Sequence, residues 1–522
     1  MPLHRESHLF VRIDPRSREP LQAQVYAGIR RAILDGVLRP GARLPSSRAL
    51  ADDLGISRTT TVLAFDQLAA EGYLTSKPGS GTFVTSELPD DRPRLRVAAR
   101  GGASASSTSS VSSSSPASAA SQHPPLSKRG VAMAGTRSSA VKLDGPPRAF
   151  RIGTPALDCF PIHLWTRLAS RRWKSVTLAQ LDYSDNAGML ALREAIADHV
   201  GRARGTSCTA EQVVIVSGAQ HGLEWICRLL IDPGDTVWME EPGYPGARGA
   251  MIAAGARVRA VPVDAHGLNV ESAARRGGDA RLAYVTPSHQ FPLGVTMSLP
   301  RRLALLAWAR NARAWVIEDD YDSEFRYGTH PISCLHGLDT DGRVIYVGSF
   351  SKTLFPSMRL GFLIVPTDLR EALGQARRAT DIHPAVPDQA VLADFMAGGH
   401  FERHLRRMRT EYRARLDALT EAAARHCSGL LRLRPLTTGL HAVATLDVDA
   451  DDVTVFREAM ARGVEVMPLS NFYFDRRSQP VRGLMLGFAA VRPELFDAGM
   501  ERLAAAIEAA RRKPRSGRIR SS

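Results

Sequence analysis

The sequence predicts an α/β chain in two folded units: a small helical unit closed by a hairpin over residues 18–86, and a large α/β unit over residues 148–511. Three observations carry this. Apolar residues recur at helical spacing in the first stretch. In the second, β-branched runs alternate with helical patterns. Between them, over residues 87–147, Ser, Ala, Pro and Arg dominate, with A-S-A-S-S-T-S-S-V-S-S-S-S-P at the centre. At 522 residues and 44% hydrophobic content, the chain is too long for one ordinary domain and rich enough for sizeable cores. Five scattered cysteines (Cys159, Cys208, Cys227, Cys334, Cys427) lack metal-ligand or disulfide-framework spacing, which suits a reducing cytoplasm. With no apolar signal segment and no stretch long enough to span a bilayer, a soluble intracellular protein is expected. A net charge of +15 suits contact with a polyanion such as DNA.

In the small unit, Leu21, Val25, Ile29, Ile33 and Leu34 form one apolar stripe that ends at Gly36. Ser46 or Ser47 can cap a second helix that runs to Leu54 and stops at Gly55. Ser57 caps a third helix, from Arg58 to Glu71, expected to bury Val62, Phe65 and Leu68. Tyr73 to Val84 reads as a hairpin with a glycine-rich tip. Two short helices joined at L-G-I-S and followed by a hairpin make a winged helix-turn-helix. If the third helix buries that stripe, Arg58, Thr59 and Thr61 face outward toward base edges or phosphates, and Arg48 and Lys77 can hold the backbone. Ser46, Ser57 and Gly81 complete the candidate DNA-binding set. The strings L-P-S-S-R-A-L-A-D-D-L-G-I-S-R-T-T and E-G-Y-L-T-S-K-P-G-S-G-T-F-V closely resemble the GntR family of winged-helix regulators.

Residues 87–147 cannot bury enough apolar surface to offset their ordering entropy, so a flexible, disordered linker is expected. The basic tail, 512–522, is expected to be solvated.

The large unit is organised around V-I-Y-V-G-S-F-S-K-T-L-F-P-S-M-R-L-G-F, Val344 to Phe362. A buried strand stops at Gly348 and a loop of small residues presents Lys352, with Arg359 seven positions on. Burial and the nearby cation both favour the neutral amine, the form that attacks an aldehyde. Upstream, Val213–Val216 runs into S-G-A-Q-H-G and a helix, a turn whose backbone N–H groups suit a phosphate. W-V-I-E-D-D-Y-D ends another strand in carboxylates, which is costly unless something cationic meets them.

Together these strings resemble the fold-type I pyridoxal-phosphate proteins, in the version carried by MocR-like regulators: a GntR-type winged helix joined to an aminotransferase-like domain. The resemblance implies pyridoxal 5'-phosphate as cofactor. It also implies Lys352 as the attachment site, Asp319 beside the pyridine nitrogen (with Asp320 the neighbouring alternative) and Tyr321 by the ring hydroxyl. Tyr244 covers the ring, and Gly218, Ala219, Gln220, Ser349 and Arg359 hold the phosphate. Tyr183 matches a position that reaches the phosphate of the other subunit, so a homodimer is implied. Two departures bear on turnover. Phe291 stands where aminotransferases place an asparagine, and Met485 stands where they place a carboxylate-clamping arginine, for which nearby Arg482 is the possible substitute. Lys352 chemistry survives both changes, while efficient transamination is not expected. The implied function is a regulator that acts on operator DNA and senses an amine, an amino acid or the cofactor itself. The alternative is a working aminotransferase that carries a DNA-binding module.

Overall fold

The computed structural model describes residues 11–14, 17, 19–77, 80–86, 126–136, 145–275, 277, 279–327, 333–475, 478 and 480–512. The chain divides into two compact units, Met1–Ala119 and Ala120–Ser522.

In the first unit, helices span Leu21–Leu34, Ser47–Leu54 and Arg58–Ala70, and an antiparallel hairpin pairs Leu74–Lys77 with Gly81–Val84. Caps set the helix-turn-helix. The Ser46 hydroxyl accepts from Ala49 N, Gly55 takes the left-handed conformation that ends the second helix, and the Ser57 hydroxyl accepts from Thr60 N. Val25, Ile29, Leu50, Ala64, Phe65 and Leu68 meet Tyr73, Leu74 and Val84 in one core. The turn after the first helix runs alongside the wing, with Leu44 N donating to Thr82 O at 2.8 Å.

Two expectations fail here. The buried stripe of the third helix is Thr61, Ala64, Phe65 and Leu68, while Val62 is only half-buried. Thr61 therefore faces the core and not DNA. Positions three and four apart both satisfy a helical stripe, so Phe65 and Leu68 alone do not decide between residues 61 and 62. The first helix likewise buries Val25, Ile29, Ala32 and Ile33, leaving Leu21 exposed.

Most of the expected linker lies outside the described residues, as do the hairpin tip (Pro78, Gly79) and tail residues 513–522. Within it, however, Lys128–Ala134 forms a helix capped by Ser127, whose hydroxyl accepts from Gly130 N at 3.0 Å. Ala132, Gly135 and Thr136 line a crevice with Pro245, Arg248 and Ile252 of the helix Pro245–Ala254. Small side chains that read as low complexity allow this close approach, because Thr136 packs against Gly249.

The second unit is built on a mixed sheet ordered Val213–Val216, Gly361–Ile364, Val344–Ser349, Trp315–Asp320, Leu282–Val285, Thr236–Glu241, Arg257–Asp264, Gly267–Leu268. The strands from 344 through 257 pair parallel, and Gly361–Ile364 runs antiparallel to both neighbours. Alternate residues go to opposite faces. Val237, Met239, Ile317, Ile345 and Val347 pack under the helices Ala219–Leu230 and Pro245–Ala254. Trp238, Val316 and Val344 meet Leu305 and Ala309 of the helix Leu299–Asn311 on the other face. A smaller antiparallel sheet, ordered Leu431–Leu433, His441–Leu446, Gly483–Gly487, Met467–Pro468, follows the long helix His400–His426. Sites in such sheets form outside the carboxyl ends of the parallel strands, and the pocket lies there.

Candidate functional site

A cavity of about 460 Å³ is lined by Gly153, Ala219, Gln220, Tyr244, Tyr284, Phe291, Asp319, Tyr321, Ser349, Lys352, Arg359 and Met485, among others. It gathers residues from strand ends far apart in sequence.

Strand alternation separates the two aspartates. Asp320 points away and is held by Arg204 Nε at 2.8 Å and the Tyr346 hydroxyl at 2.6 Å. Its neighbour Asp319 lines the cavity. The Tyr284 hydroxyl donates to Asp319 Oδ2 at 2.7 Å, while Oδ1 is buried with no partner. Burial pushes the Asp319 carboxyl up to about 7, against the pull of the Tyr284 hydrogen bond. A buried acceptor left unpaired is costly, so this atom suits a group that brings a donor, above all a protonated ring nitrogen.

Lys352 Nζ donates to Gly153 O at 2.6 Å. Burial holds its ammonium below the usual lysine value, with Asp322 and Asp319 pulling the other way. The depression therefore comes from burial and not from Arg359, whose Nη2 donates to the Ser217 carbonyl at 2.8 Å. Arg359 itself adopts φ 52°, a left-handed conformation uncommon outside glycine, which is the kind of outlier found at functional sites.

Gly218 caps the helix Ala219–Leu230 at φ 88°, and a Cβ there would lie 2.9 Å from Arg359 Nη2. The helix N-terminus and the guanidinium thus meet across a glycine, a cradle that suits a phosphate. Gly218→Ala is expected to displace Arg359 and strain the turn, weakening anion binding by about 1 to 3 kcal/mol. Phosphate or cofactor titration of the two proteins checks this. Beside the cradle, Ser349 Oγ accepts from Ser351 N at 3.2 Å. The Gln220 side chain is turned to the neighbouring loop, Nε2 donating to Gly246 O at 2.9 Å, so only its backbone is free to face an anion.

Around the ring position the side chains are aromatic. Phe291 packs edge-on against Tyr244 at 5.6 Å, Tyr321 at 5.9 Å and Phe472 at 5.1 Å between ring centroids. The Tyr321 hydroxyl lies 3.0 Å from His289 Nδ1, which also faces both Asp322 oxygens. Tyr183 does not join this chain's cavity. It is exposed, its ring against His383. Arg482, the possible substitute clamp, is also absent from the cavity. It pairs with Asp449 at 3.0 Å, just ahead of the strand Gly483–Gly487 that carries Met485. Sequence reasoning missed Tyr284, His289 and His441. The polar tyrosine inside the apolar run L-A-Y-V was the available signal for the first, and nothing local marks the other two.

In the small unit, Arg48, Arg58, Thr59 and Lys77 are exposed on the second helix, the third helix and the wing. Lys77 Nζ lies over the Phe83 ring at 5.6 Å. Ser46 and Ser57 are occupied as helix caps, and Gly81 at φ 112° lies against the Arg43 side chain.

Such a chain combines a winged-helix DNA-binding unit with an aminotransferase-type fold, which defines a transcriptional regulator. Aminotransferase class I and II matches residues 175–503, and the bacterial regulatory proteins of the gntR family match residues 21–84. The probable rhizopine catabolism regulatory protein MocR of Rhizobium meliloti is 38% identical over 497 residues, 95% of each chain. The HTH-type pyridoxine biosynthesis transcriptional regulator PdxR of Corynebacterium glutamicum is 31% identical, over 92% of this chain and 94% of that one. Among solved structures, a kynurenine aminotransferase of Pyrococcus horikoshii matches with TM-score 0.64 and 28% identity, covering 70% of this chain and 92% of that one. The chain belongs to the MocR-like subfamily of GntR-family transcriptional regulators. Among the described residues, no helix is long and apolar enough to cross a membrane.

Proposed function

We propose that the large unit binds pyridoxal 5'-phosphate, that it senses an amine, an amino acid or the cofactor itself, and that a homodimer of the chain acts on operator DNA in the cytoplasm. The observation that carries this is the unpartnered, buried Asp319 Oδ1 on the same cavity as the Lys352 amine and the Gly218–Arg359 cradle. Solved relatives hold cofactor forms, among them a Thermus thermophilus α-aminoadipate aminotransferase complexed with N-(5'-phosphopyridoxyl)-L-leucine, at 28% identity. When bound, pyridoxal phosphate supplies an aldehyde carbon on which one primary amine can replace another.

The protein's residues divide the remaining work. Gly218, Ala219, Ser349 and Arg359 anchor the phosphate, and Asp319 keeps the ring nitrogen protonated. Tyr244 and Phe291 close over the ring and exclude water, and Lys352 supplies the resident amine. Tyr183, exposed on its own chain, is available to a partner's phosphate site. Phe291 offers no hydrogen bond and Met485 no clamp, so a ligand is bound without being oriented for repeated turnover.

An effector changes DNA affinity only as far as it binds two arrangements of the protein unequally, and operator must then change effector affinity by the same factor. Titrating candidate amines and pyridoxal phosphate with and without operator tests this. Equal affinities in both titrations, with many cycles of amino-donor turnover, would replace the sensor by an aminotransferase.

On the DNA side, Arg58→Ala is expected to weaken operator binding by about 1 to 3 kcal/mol and to relax preference at one base pair. Lys77→Ala is expected to weaken all sequences alike and to flatten the salt dependence, as loss of a phosphate contact does. Gel shifts at several salt concentrations separate the two outcomes.

A further inference from the structure

We infer that the ligand this pocket takes is a primary amine whose remainder carries no anionic group. The inference rests on the amine-sensing function proposed above and concerns which amine is sensed. A ligand carboxylate in a dehydrated pocket needs a cation or several donors, since an unpaired buried charge is strongly disfavoured. Among the described residues, the side chains lining the cavity that can carry positive charge are Arg151, Lys352, Arg359 and His441.

Each of them is committed elsewhere. Arg151 is closed onto Glu465 through Nε at 2.5 Å and Nη2 at 2.8 Å, and its outer nitrogens reach the Gly145 and Pro146 carbonyls at 3.3 Å. Arg359 sits at the phosphate cradle, bound to the Ser217 carbonyl. Lys352 is the amine of the site. His441 is fully enclosed, with its ring 4.9 Å from that of His289 and its Nε2 facing the Pro292 carbonyl at 3.4 Å. Burial, His289 and Lys352 hold it well below the ordinary histidine value, so it stays neutral.

The wall on the side of the small sheet is apolar. Met485 is fully buried and pairs in register with Val443 and Met467. Leu293, Leu469 and Phe472 pack behind it, and Phe291 and Leu440 complete the lining. Two carboxylates, Asp319 and Asp322, also face the cavity and repel a second anion. The surface left for the body of the ligand is aromatic and thioether, with hydroxyls from Tyr244, Tyr321, Thr154 and Ser351. That surface accepts an alkyl or hydroxylated amine and offers an α-carboxylate neutral hydroxyls but no uncommitted cation.

The test uses the full-length protein loaded with pyridoxal phosphate and two matched pairs: butylamine against norvaline, and ethanolamine against serine. Within each pair the molecules differ only by the carboxylate. Calorimetry and the visible absorbance of the bound cofactor report affinity, compared after correction for the fraction of free base. The amine of each pair is expected to bind about ten- to a hundred-fold more tightly than its amino acid. Met485→Arg, which restores a guanidinium to that wall, is expected to narrow or reverse the difference. The wild-type comparison decides even if that variant fails to fold. Amino acids that bind wild type as tightly as their amines overturn the inference and leave amine sensing standing. If none of the four ligands registers by either readout while borohydride still fixes the cofactor on the protein, amine and amino-acid sensing falls, and the inference with it, leaving the cofactor itself as the ligand sensed.

Discussion

Lys352→Ala is expected to lose the visible absorbance of the lysine-linked cofactor and to retain no cofactor after borohydride treatment, while it still shifts operator DNA. Among the described residues, Lys352 is the one lysine that lines the cavity, so no neighbouring amine can take its place. The phosphate cradle at Gly218 and Arg359 is untouched, and the cofactor can still associate reversibly. The structural cost is small. The variant loses the hydrogen bond from Nζ to Gly153 O, about 1 kcal/mol, and also sheds an amine whose charge burial disfavours. The winged helix has its own core and contains no residue of the pocket, so DNA binding persists. What should disappear is the response to effector. Absorbance spectra, mass spectrometry after reduction and gel shifts with and without effector measure the three parts. A variant that keeps reducible cofactor places the attachment at another lysine.

What the sequence revealed follows how local each signal was. Ser57, Gly55 and the L-G-I-S junction are helix-end signals that need no tertiary context, and the helix-turn-helix stands where they put it. The face of the third helix was not legible in the same way. Thr61 and Val62 both satisfy a helical stripe through Phe65 and Leu68, and only tertiary packing places Thr61 inside. In the strand Trp315–Asp320, alternation says that Asp319 and Asp320 face opposite ways, but not which faces the pocket. That is decided by Arg204, more than a hundred residues upstream, which claims Asp320. The roles of Tyr284 and His289 were hidden for the same reason, although the tyrosine itself stands out in the apolar run L-A-Y-V. Each acts through a partner from another strand or loop, Asp319 for one and Asp322 with Tyr321 for the other. The helix Lys128–Ala134 was hidden by its shortness, because the seven residues K-R-G-V-A-M-A are too few to show a helical stripe and its partner helix Pro245–Ala254 lies far along the chain.

Asp319→Asn is expected to have opposite effects on the cofactor-free and cofactor-loaded proteins. In the cofactor-free protein, burial raises the Asp319 carboxyl from 3.8 to about 7. Between those two values the folded state holds a proton that the unfolded state has released. Stability therefore falls as pH rises through that window, and the penalty is complete above about pH 7. Asparagine cannot ionise and escapes the penalty, so the cofactor-free variant is expected to be more stable than wild type at pH 8 by about 1 to 3 kcal/mol, and nearly equal to it below the unfolded value. The loaded protein reverses this. There the ionised carboxylate meets a protonated ring nitrogen, a charge-assisted pair in a dry site, and asparagine offers only a neutral acceptor. Breaking one side of a buried pair costs about 3 to 5 kcal/mol, so cofactor affinity is expected to fall by two to three orders of magnitude or more. Thermal melts of both proteins at pH 5 and pH 8, with and without pyridoxal phosphate, give the whole pattern. A variant that is less stable than wild type at pH 8 without cofactor would show that Asp319 has a cationic or donor partner besides Tyr284 in the cofactor-free pocket. A variant that binds cofactor as well as wild type would show that the ring nitrogen meets some other residue.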